Sequence, residues 1–586
     1  MSGHRVAYTL AMSRPHSHLF EVTVTLEGWA EPALDLVLPS WTPGSYMIRE
    51  YARHVQDFRA EREGQPLSWT KTAKDTWRVN TPAGGRVRAS YAVYAHDLSV
   101  RTCHLDGTHG FATGAAVFMY AAARAHAPVS VEVVVPQRWQ VATGLEPLGG
   151  GNGIFRFGAR DYDELVDCPI ECGTHRVLAF EVDGKPHKIA LWGRGNETEE
   201  RLSADVKSIV ESERAFFGGL PYDRYAFLVH LASGRGGLEH RNSAVFLVDR
   251  WGFRPRAAYE AFLELIAHEL FHVWNVKRIR PKPLGPFDYR SENHTRQLWA
   301  VEGITSYYEK RFVLAAGLYS RERFLARLGE EIAILQATPG RTRQSLEGAS
   351  FDAWIKFYRP DENSVNSAVS YYLKGALAAC LLDLEIRAAT VRAKCLDDVV
   401  RHLASEADRS GSGFAEPDGF LAALEQVAGA HGGAFRRFME RFVAGTDELE
   451  LERILGHAGI KFTWSRPPAE GDRGAWLGVA TRPEGRSIIV TSVRSDGPAF
   501  AAGLYSGDEI VALDGHRVDG GRLAARLAER APGSSARVSV FRRDELLDVT
   551  VPLAEPPLEV VTLAPDPEST TAQAGLREAW LSPFQR

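Results

Sequence analysis

The chain has 586 residues, of which 45% are hydrophobic and 24% charged, and its formal net charge is −5. This length allows several domains, each with its own core, and the balance of charges is that of an ordinary globular surface. The basic cluster at Lys277–Arg280 is too short for a nucleic-acid face, so we expect no nucleic-acid partner.

Targeting signals and disulfides are also not indicated. The N-terminal residues lack the uninterrupted apolar core of a signal peptide, and no 18-residue apolar run follows, so we expect no membrane span. Five widely spread cysteines argue against a disulfide scaffold, and Cys168 and Cys172 without a second pair do not indicate a zinc site. We therefore expect a cytoplasmic location.

Residues 1–175 have the pattern of an all-β domain. Short β-rich runs are separated by Gly and Pro turns. They are Leu19–Leu26, Ala33–Leu38, Arg86–Tyr94, Val129–Val135 and Ile154–Phe157. The aromatic turn Trp41–Tyr46 is predicted to be a packed corner rather than a loop over a catalytic cleft, because aromatic turns usually pack.

Residues 176–315 have a mixed pattern, with a helix at Arg201–Phe217 and strands at Tyr225–Leu231 and Ala244–Val248. Between these strands, Gly236 and Gly237 would let a backbone approach a substrate closely. An extended peptide can pair with an exposed strand edge, and Glu239 would then receive its α-ammonium group. The alternative is that Glu239 is a solvated loop carboxylate.

The most informative motif is His268-Glu269-Leu270-Phe271-His272, an HExxH sequence inside an apolar run with no Pro or Gly from 257 to 277. On a helix, His268 and His272 lie four residues apart on one face and can bind one ion. Two imidazoles favour zinc with an open position for water, which Glu269 can reach as general base.

A third ligand is predicted in the helical segment 297–308. Glu302 lies in its apolar part, where an unpaired carboxylate would be costly. His294, Glu292 and Asp288 are the competing ligands, but they lie in polar loop surroundings.

Residues 316–465 are predicted to form a helical domain that completes the site. The predicted helices are Glu302–Ala316, Arg321–Thr338, Val365–Ala389, Cys395–Ala407 and Phe420–Ala428. Tyr371 and Tyr372 stand near Lys374-Gly375 and would, on pattern alone, be core residues.

A polar Pro/Gly-rich stretch at 465–471 indicates a linker, and residues 466–556 then follow the element order of a PDZ domain. Its turn Leu477-Gly478-Val479 would offer backbone N–H groups to the carboxylate of a C-terminal peptide ligand. The tail, residues 557–586, is Pro-rich and then weakly helical, and it receives no role.

Taken together, these motifs resemble the glycyl aminopeptidase family of zinc metallopeptidases, which belongs to the gluzincins. The resemblance covers most of the chain. Its motifs are His268–Pro281, Leu284–Tyr289, Glu302–Tyr308, Trp41–Val55, Tyr162–Glu171 and Ser370–Gly375. It implies a multidomain α+β fold with an N-terminal all-β domain, a thermolysin-like zinc peptidase domain, a helical domain and a C-terminal PDZ domain.

The same resemblance assigns roles to the site residues. It implies one zinc ion per chain, held by His268, His272 and Glu302. The sequence from Gly236 to His240 resembles an exopeptidase motif in which a Glu selects free N-termini, although His240 stands where Asn is usual. Tyr372 is implied as the oxyanion donor, with Tyr371 as the neighbouring alternative.

The predicted function is therefore a zinc aminopeptidase that removes N-terminal Gly or Ala from peptides with a free N-terminus, with a PDZ module that recruits peptides or partners. A zinc endopeptidase is the first alternative, and Glu239 discriminates because only an exopeptidase needs an acceptor for a free amine. A peptide-binding scaffold with a relic peptidase domain is less favoured because every catalytic position is filled. An epoxide hydrolase on a related zinc site is the most distant alternative.

Overall fold

The computed structural model describes residues 6–81, 85–466, 474–485 and 487–584. Their buried side chains form three large hydrophobic cores, one in the N-terminal domain, one in the central part of the chain and one in the PDZ domain. No helix within these ranges combines the length and the apolar character needed to cross a bilayer.

The N-terminal domain is built from antiparallel strands with two short helices, α1 (Gly114–Val117) and α2 (Tyr162–Val166). Its strands are β1 (Val6–Ala11), β2 (Leu19–Leu26), β3 (Ala33–Val37), β4 (Val55–Arg62), β5 (Gln65–Pro66), β6 (Trp69–Ala73), β7 (Thr76–Asn80), β8 (Val87–Tyr94), β9 (His104–Leu105), β10 (His109–Ala112), β11 (Val129–Val134), β12 (Gln140–Thr143), β13 (Glu146–Gly151), β14 (Ile154–Ala159) and β15 (Ile170–Gly173). The five strands predicted here are confirmed to within two residues at each end.

The main sheet of this domain has the order β13-β14-β11-β1-β2-β8-β4-β5, and β1 and β11 are its parallel pair. A four-stranded sheet, β12-β15-β10-β9, and a three-stranded sheet, β3-β7-β6, complete the domain. Alternation of buried and less buried residues along β1 is the pattern of a strand with one face in the core.

A five-stranded sheet then carries one side of the site. Its strands are β16 (Arg176–Val182), β17 (Lys185–Trp192), β18 (Tyr225–Leu231), β19 (Gly236–Glu239) and β20 (Ser243–Val248), in the order β16-β17-β18-β20-β19. Strands β17, β18 and β20 are parallel, and β18 and β20 are buried along their whole length, while β19 is an antiparallel edge strand. The edge position leaves one side of β19 open for pairing.

The helices of the central part are α3 (Glu199–Phe217), α4 (Arg256–Phe271), α5 (Ile304–Ala315), α6 (Arg321–Gln336), α7 (Leu346–Phe351), α8 (Ser364–Ser367), α9 (Leu373–Ala389), α10 (Leu396–Ser410), α11 (Gly419–Ala428), α12 (Gly432–Phe438) and α13 (Leu451–Leu455). Their apolar faces share one continuous core with the five-stranded sheet. The predicted boundary at residues 315 and 316 therefore falls within one packed unit.

One predicted helix is wrong in its extent. Residues 365–389 do not form a single helix, because α8 ends at Ser367 and Ala368 is extended. The Ala368 backbone packs against Gly340, where a Cβ would lie 2.1 Å from the Ala368 carbonyl oxygen. The Gln344 side chain also accepts a hydrogen bond from the Val369 N–H at 3.1 Å. Tertiary packing thus interrupts the helical pattern just before Tyr371 and Tyr372.

The PDZ domain is inserted between two paired strands of the central part. Strand β21 (Ile460–Ser465) precedes it and β28 (Val560–Pro565) follows it, and the two pair antiparallel from Ile460 opposite Pro565 to Ser465 opposite Val560. The inserted elements are β22 (Val479–Glu484), β23 (Ser487–Val493), α14 (Pro498–Ala502), β24 (Glu509–Leu513), β25 (His516–Arg517), α15 (Gly520–Ala528), β26 (Ser535–Arg542) and β27 (Glu545–Pro552). Residues 467–471 of the predicted linker lie outside the described ranges.

The tail is part of the central core. After β28 it forms α16 (Thr571–Leu581), whose Trp580 is fully buried and donates from Nε1 to the Tyr307 hydroxyl at 2.9 Å. Because Tyr307 lies on α5, the tail packs on the helix that follows Glu302.

Candidate active site

Helix α4 presents the HExxH residues at its C-terminal end. The helix runs without Pro or Gly to Phe271, and the rings of His268 and His272 come together on one face with centroids 4.7 Å apart. Glu302 comes from a single π-helical turn, Trp299–Gly303, that leads into α5. Such turns inside helices are frequent at functional sites.

The side chains of His268, His272 and Glu302 lie close enough together to hold one metal ion. Glu302 Oε2 lies 3.4 Å from His268 Nε2 and 3.2 Å from His272 Nε2. This oxygen, Glu302 Oε2, is nevertheless buried without a hydrogen-bond partner. Burial raises the pKa of Glu302, but the charges of His272 and His268 outweigh it and bring the pKa to about 2. A buried carboxylate oxygen without a partner, beside two imidazole nitrogens, fits a divalent ion, and this donor set suits zinc.

The other ring nitrogen of each histidine is occupied by the protein. His268 Nδ1 lies 2.7 Å from Glu309 Oε2, and His272 Nδ1 lies 2.7 Å from the Asn275 carbonyl oxygen. These contacts fix each ring and leave Nε2 directed at Glu302. Sequence reasoning missed Glu309, although its place two helical turns after Glu302 puts it on the same helix face.

The competing ligands lie elsewhere. His294 is exposed, stacks on Phe351 and has Nδ1 3.1 Å from the Phe351 carbonyl oxygen. Glu292 is exposed, and Asp288 accepts from Ser291. None of the three belongs to a potential metal cluster among the described residues.

Glu269 lies beside the ligand group and is 4% exposed. Burial raises its pKa to about 7, against the lowering effect of His268 and His272. A carboxylate with a pKa near neutrality can both accept and return a proton. Gly237 makes room for it, because a Cβ at that position would lie 1.9 Å from Glu269 Oε1.

Of the two predicted tyrosines, Tyr372 lines the metal cleft. Its ring centroid is 6.1 Å from that of His268, whereas Tyr371 is fully buried and does not line the cleft. Close approach of two backbones brings Tyr372 near Glu302, since a Cβ on Gly303 would come within 2.6 Å of Gly375 Cα. Tyr358 also lines the cleft and was not predicted from the sequence.

The cleft itself has a volume of about 510 Å³. Glu239 lines it from the end of edge strand β19 and is 3% exposed. Lys277 Nζ lies 4.0 Å from Glu239 Oε1 and 2.8 Å from Asp167 Oδ1, so Asp167 is the main partner of this lysine. His240 points away from the cleft and places Nδ1 3.1 Å from the same Asp167 oxygen.

The aromatic turn Trp41–Tyr46 both packs and borders the cleft. Trp41 and Tyr46 are buried, as expected for a corner. Gly44, however, has a φ of +86° and lies against Glu239, whose Oε2 would be 2.5 Å from a Cβ at that position. The N-terminal domain therefore forms one wall of the site, which local sequence patterns did not predict.

A second cluster of possible ligands lies between the N-terminal domain and the five-stranded sheet. His109 and His230 each place Nε2 2.9 Å from Glu171 Oε2, and all three are fully buried. Burial raises the pKa of Glu171, but these two histidines bring it to about 2. Direct hydrogen bonds satisfy this carboxylate oxygen, unlike Glu302 Oε2, so the cluster is a polar link between two domains.

In the PDZ domain, the turn Leu477-Gly478-Val479 leads into edge strand β22. Gly478 has a φ of +85°, and its carbonyl oxygen accepts from the Arg494 N–H at 3.0 Å. Val479 is paired with Val493, and the Val493 carbonyl oxygen accepts from Asn366 Nδ2 at 2.8 Å. The side of β22 that does not pair with β23 is thus available to a peptide strand. On the other side, β23 contacts the central part of the chain through Asn366.

Comparison with known proteins agrees with this architecture. The Peptidase M61 N-terminal domain matches residues 7–174, the M61 glycyl aminopeptidase domain matches 261–378 and a PDZ domain matches 475–553. The predicted multidomain α+β fold, with its N-terminal β domain, helical middle region and C-terminal PDZ domain, is confirmed.

Three individual proteins illustrate the range of similarity. A crystal structure of an aminopeptidase N family protein from Idiomarina loihiensis is 31% identical, with a TM-score of 0.92 over 99% of this chain and 100% of that one. An M1 zinc metallopeptidase from Deinococcus radiodurans is 17% identical, with a TM-score of 0.49 over 77% and 95% of the two chains. A probable periplasmic serine endoprotease, DegP-like, from Brucella suis biovar 1 is 38% identical over 118 residues.

The similarity to the Brucella protein covers 20% of this chain and 22% of that protein. The Idiomarina protein, in contrast, matches along its whole length, and the M61 glycyl aminopeptidase match at residues 261–378 includes His268, Glu269, His272 and Glu302. The chain belongs to the M61 glycyl aminopeptidase family of metallopeptidases.

Proposed function

We propose that the protein is a zinc-dependent aminopeptidase that removes N-terminal Gly or Ala from peptides, with one zinc ion per chain. The observation that carries this proposal is the position of Glu239. It closes the end of an edge strand that lines the same cleft as His268, His272 and Glu302. The description of the matching family as glycyl aminopeptidase supports the preference for a small first residue.

The substrate would pair with β19 as an added strand. Antiparallel pairing directs its N-terminus towards Glu239, whose buried carboxylate can accept hydrogen bonds from an α-ammonium group. Glu269 packs against Gly237, so the general base faces the middle of this strand. The first peptide bond of the substrate, rather than a bond further along, would then face Glu269.

His268, His272 and Glu302 would hold the zinc ion, which when bound supplies Lewis-acid activation of water and of the scissile carbonyl. Glu269 accepts the proton of the attacking water and passes it to the leaving amine. Tyr372 donates a hydrogen bond to the developing oxyanion, a contribution of about 10²–10³ in rate for a donor of this kind. Glu309 holds the His268 ring in place throughout.

The PDZ module would recruit longer peptides or a partner through a C-terminal carboxylate bound at Leu477, Gly478 and Val479. An endopeptidase remains the alternative to an exopeptidase, and the free amine of the substrate separates the two.

The test compares Ala-Ala-Ala peptides with free and acetylated N-termini, together with Gly- and Ala-p-nitroanilides, on protein of measured zinc content. We expect turnover of the free-amine substrates only, and loss of turnover on chelation with recovery on adding zinc. Glu239→Gln should lower kcat/KM for free-amine substrates by about 10- to 100-fold, the effect of a charge-assisted hydrogen bond worth about 1.5–3 kcal/mol.

The matched control is Glu211→Gln, which removes the same charge from an exposed position on α3. Equal cleavage of acetylated and free peptides would favour an endopeptidase, and full activity in zinc-free protein would contradict the metal assignment.

A further inference from the structure

Two arginines stand at the end of the cleft opposite Glu239. Arg101, from the loop between β8 and β9, and Arg235, just before β19, both line the cleft. Within the described ranges, neither guanidinium has an Asp or Glu oxygen within 4.0 Å, whereas Arg256, Lys277, Lys310 and Arg327 are each paired with a carboxylate. The cleft therefore has an acidic end and a cationic end.

Arg101 is the less satisfied of the two. Its Nε is shielded from solvent and has no hydrogen-bond partner, whereas Arg235 donates from Nη2 to the Ala261 carbonyl oxygen at 3.2 Å. A buried donor of a charged group without a partner is costly unless something fills its place. Burial lowers the pKa of the neighbouring Arg49, and the charge of Arg101 acts in the same direction. An anion would relieve both effects.

Edge strand β19 sets the distance between the two ends. Arg101 Nη1 lies 3.7 Å from the position of a Cβ on Gly236, the first residue of β19, and Glu239 is its last residue. Three residue steps of a strand span about 10 Å, at roughly 3.3 Å per residue. A peptide paired antiparallel to β19, with its N-terminus at Glu239, would therefore reach Arg101 with about its third residue.

We propose that Arg101 binds the C-terminal carboxylate of peptides about three residues long, so that the cleft holds both ends of its preferred substrate. This inference rests on the proposed aminopeptidase activity and names its substrate class as short free peptides. A planar guanidinium that presents parallel N–H donors matches a carboxylate better than a lysine ammonium does. Arg235, on the same rim, contributes positive charge but already has a backbone acceptor.

The main experiment measures kcat/KM for Ala-Ala-Ala and for its C-terminal amide, which differ only in the charge of the last group. For the wild-type protein we expect the free acid to be favoured by about 10- to 100-fold, the range of a charge-assisted contact. The preference should decrease for peptides of five and six residues, whose carboxylates extend past Arg101. Equal rates for acid and amide at all lengths would overturn the proposal.

Variants then assign the effect to a residue. Arg101→Gln should bring the ratio of acid to amide close to one, and Arg101→Lys should leave an intermediate ratio, because the charge remains but the paired donors are lost. Arg194→Gln removes an exposed arginine of the central part of the chain and should keep the wild-type ratio. If Arg235→Gln abolishes the preference and Arg101→Gln retains it, the assignment to Arg101 is wrong.

A binding measurement makes the test independent of turnover. In a Glu269→Gln background, calorimetry should give tighter binding of Ala-Ala-Ala than of its amide, and the added Arg101→Gln change should remove the difference. Unchanged thermal stability and zinc content of the Arg101 variants would exclude misfolding as the cause.

Different results would refute the proposed aminopeptidase activity and the proposed role of Arg101. Absence of Ala-p-nitroanilide hydrolysis by zinc-loaded wild-type protein would refute the proposed function itself. Hydrolysis of that substrate, combined with equal rates for acid and amide peptides, would refute only the role of Arg101.

Discussion

Gly237→Ala tests whether the edge strand positions the general base. The added Cβ would lie 1.9 Å from Glu269 Oε1, 2.5 Å from its Cδ and 2.7 Å from its Cγ. Carbon atoms in ordinary contact are about 3.5–4.0 Å apart, so the carboxylate would have to move by roughly 1.5 Å. The Gly237 φ is not positive, so alanine adds no backbone strain and the effect should fall on Glu269.

A displacement of about 1 Å at a reacting group can cost about 10²-fold, and complete loss of general acid–base catalysis costs about 10²–10⁴-fold. We therefore expect Gly237→Ala to lower kcat for Ala-p-nitroanilide by at least about 10²-fold while zinc content stays near that of wild type. Gly236→Ala is the matched comparison on the same strand. Its Cβ would meet only Val100 and Arg101 atoms, at 3.5 Å and 3.7 Å, so it should lose much less.

A double-mutant cycle identifies the cause. If alanine acts by displacing the carboxylate, Gly237→Ala combined with Glu269→Gln should be no slower than Glu269→Gln alone. Additive losses would mean that Gly237 acts on the substrate instead, and wild-type activity of Gly237→Ala would refute the steric reasoning.

Four other predictions concern the metal, the support of its ligands and the assembly of the domains. Glu302→Ala should lose zinc measured by elemental analysis while His294→Ala keeps it, and the reverse would show that the ligand assignment is wrong. Glu309→Gln should weaken zinc binding by about 10- to 100-fold in a chelator competition, because a carboxylate hydrogen-bonded to a histidine ligand usually contributes this much. Equal zinc affinity would argue against a role of Glu309 in positioning His268. Deletion of the PDZ domain, residues 475–553, should leave turnover of Ala-p-nitroanilide intact, and loss of that activity would contradict the domain arrangement. Trp580→Ala should lower the free energy of unfolding by about 3–5 kcal/mol in a denaturant titration, and unchanged stability would contradict the packing of the tail on the central core.

The parts of the site that the sequence predicted are those encoded by short spacings on one element. His268, Glu269 and His272 are neighbours on α4, and the cost of burying a carboxylate was enough to favour Glu302 over His294. The structure brings the same three ligands together. The strands Tyr225–Leu231 and Ala244–Val248 were also predicted, because β-rich runs are local signals, whereas their parallel pairing and edge strand β19 were not.

Residues contributed from distant parts of the chain were not predictable in this way. Gly44 and Arg101 belong to the N-terminal domain. The turn that holds Gly44 was predicted to pack rather than to lie over the cleft, and nothing near Arg101 in sequence indicates that it reaches the cleft. Their positions depend on a small apolar contact that joins this domain to the five-stranded sheet, including Val100, Phe111 and Leu238. Only the docking of two separately folded cores makes these residues part of one site.

The attachment of the PDZ domain also depends on contacts between distant parts of the chain. One of these contacts lies between the end of strand β23 in the PDZ domain and the segment that leads to Tyr372. Strands β21 and β28 fix both of its ends, and Asn366 adds a third attachment with hydrogen bonds of 2.8 Å to the Val493 carbonyl oxygen and 2.7 Å from the Ser495 N–H. Val493 is paired with Val479, next to the open edge of β22, while Asn366 lies in α8, six residues before Tyr372 and just ahead of the interruption of the predicted helix. A peptide on β22 and Tyr372 would thus be separated by one strand pair, one buried amide and a short stretch of backbone. The interruption between α8 and α9, which propensity alone did not predict, is therefore the part of the chain that would connect a peptide bound on β22 with Tyr372.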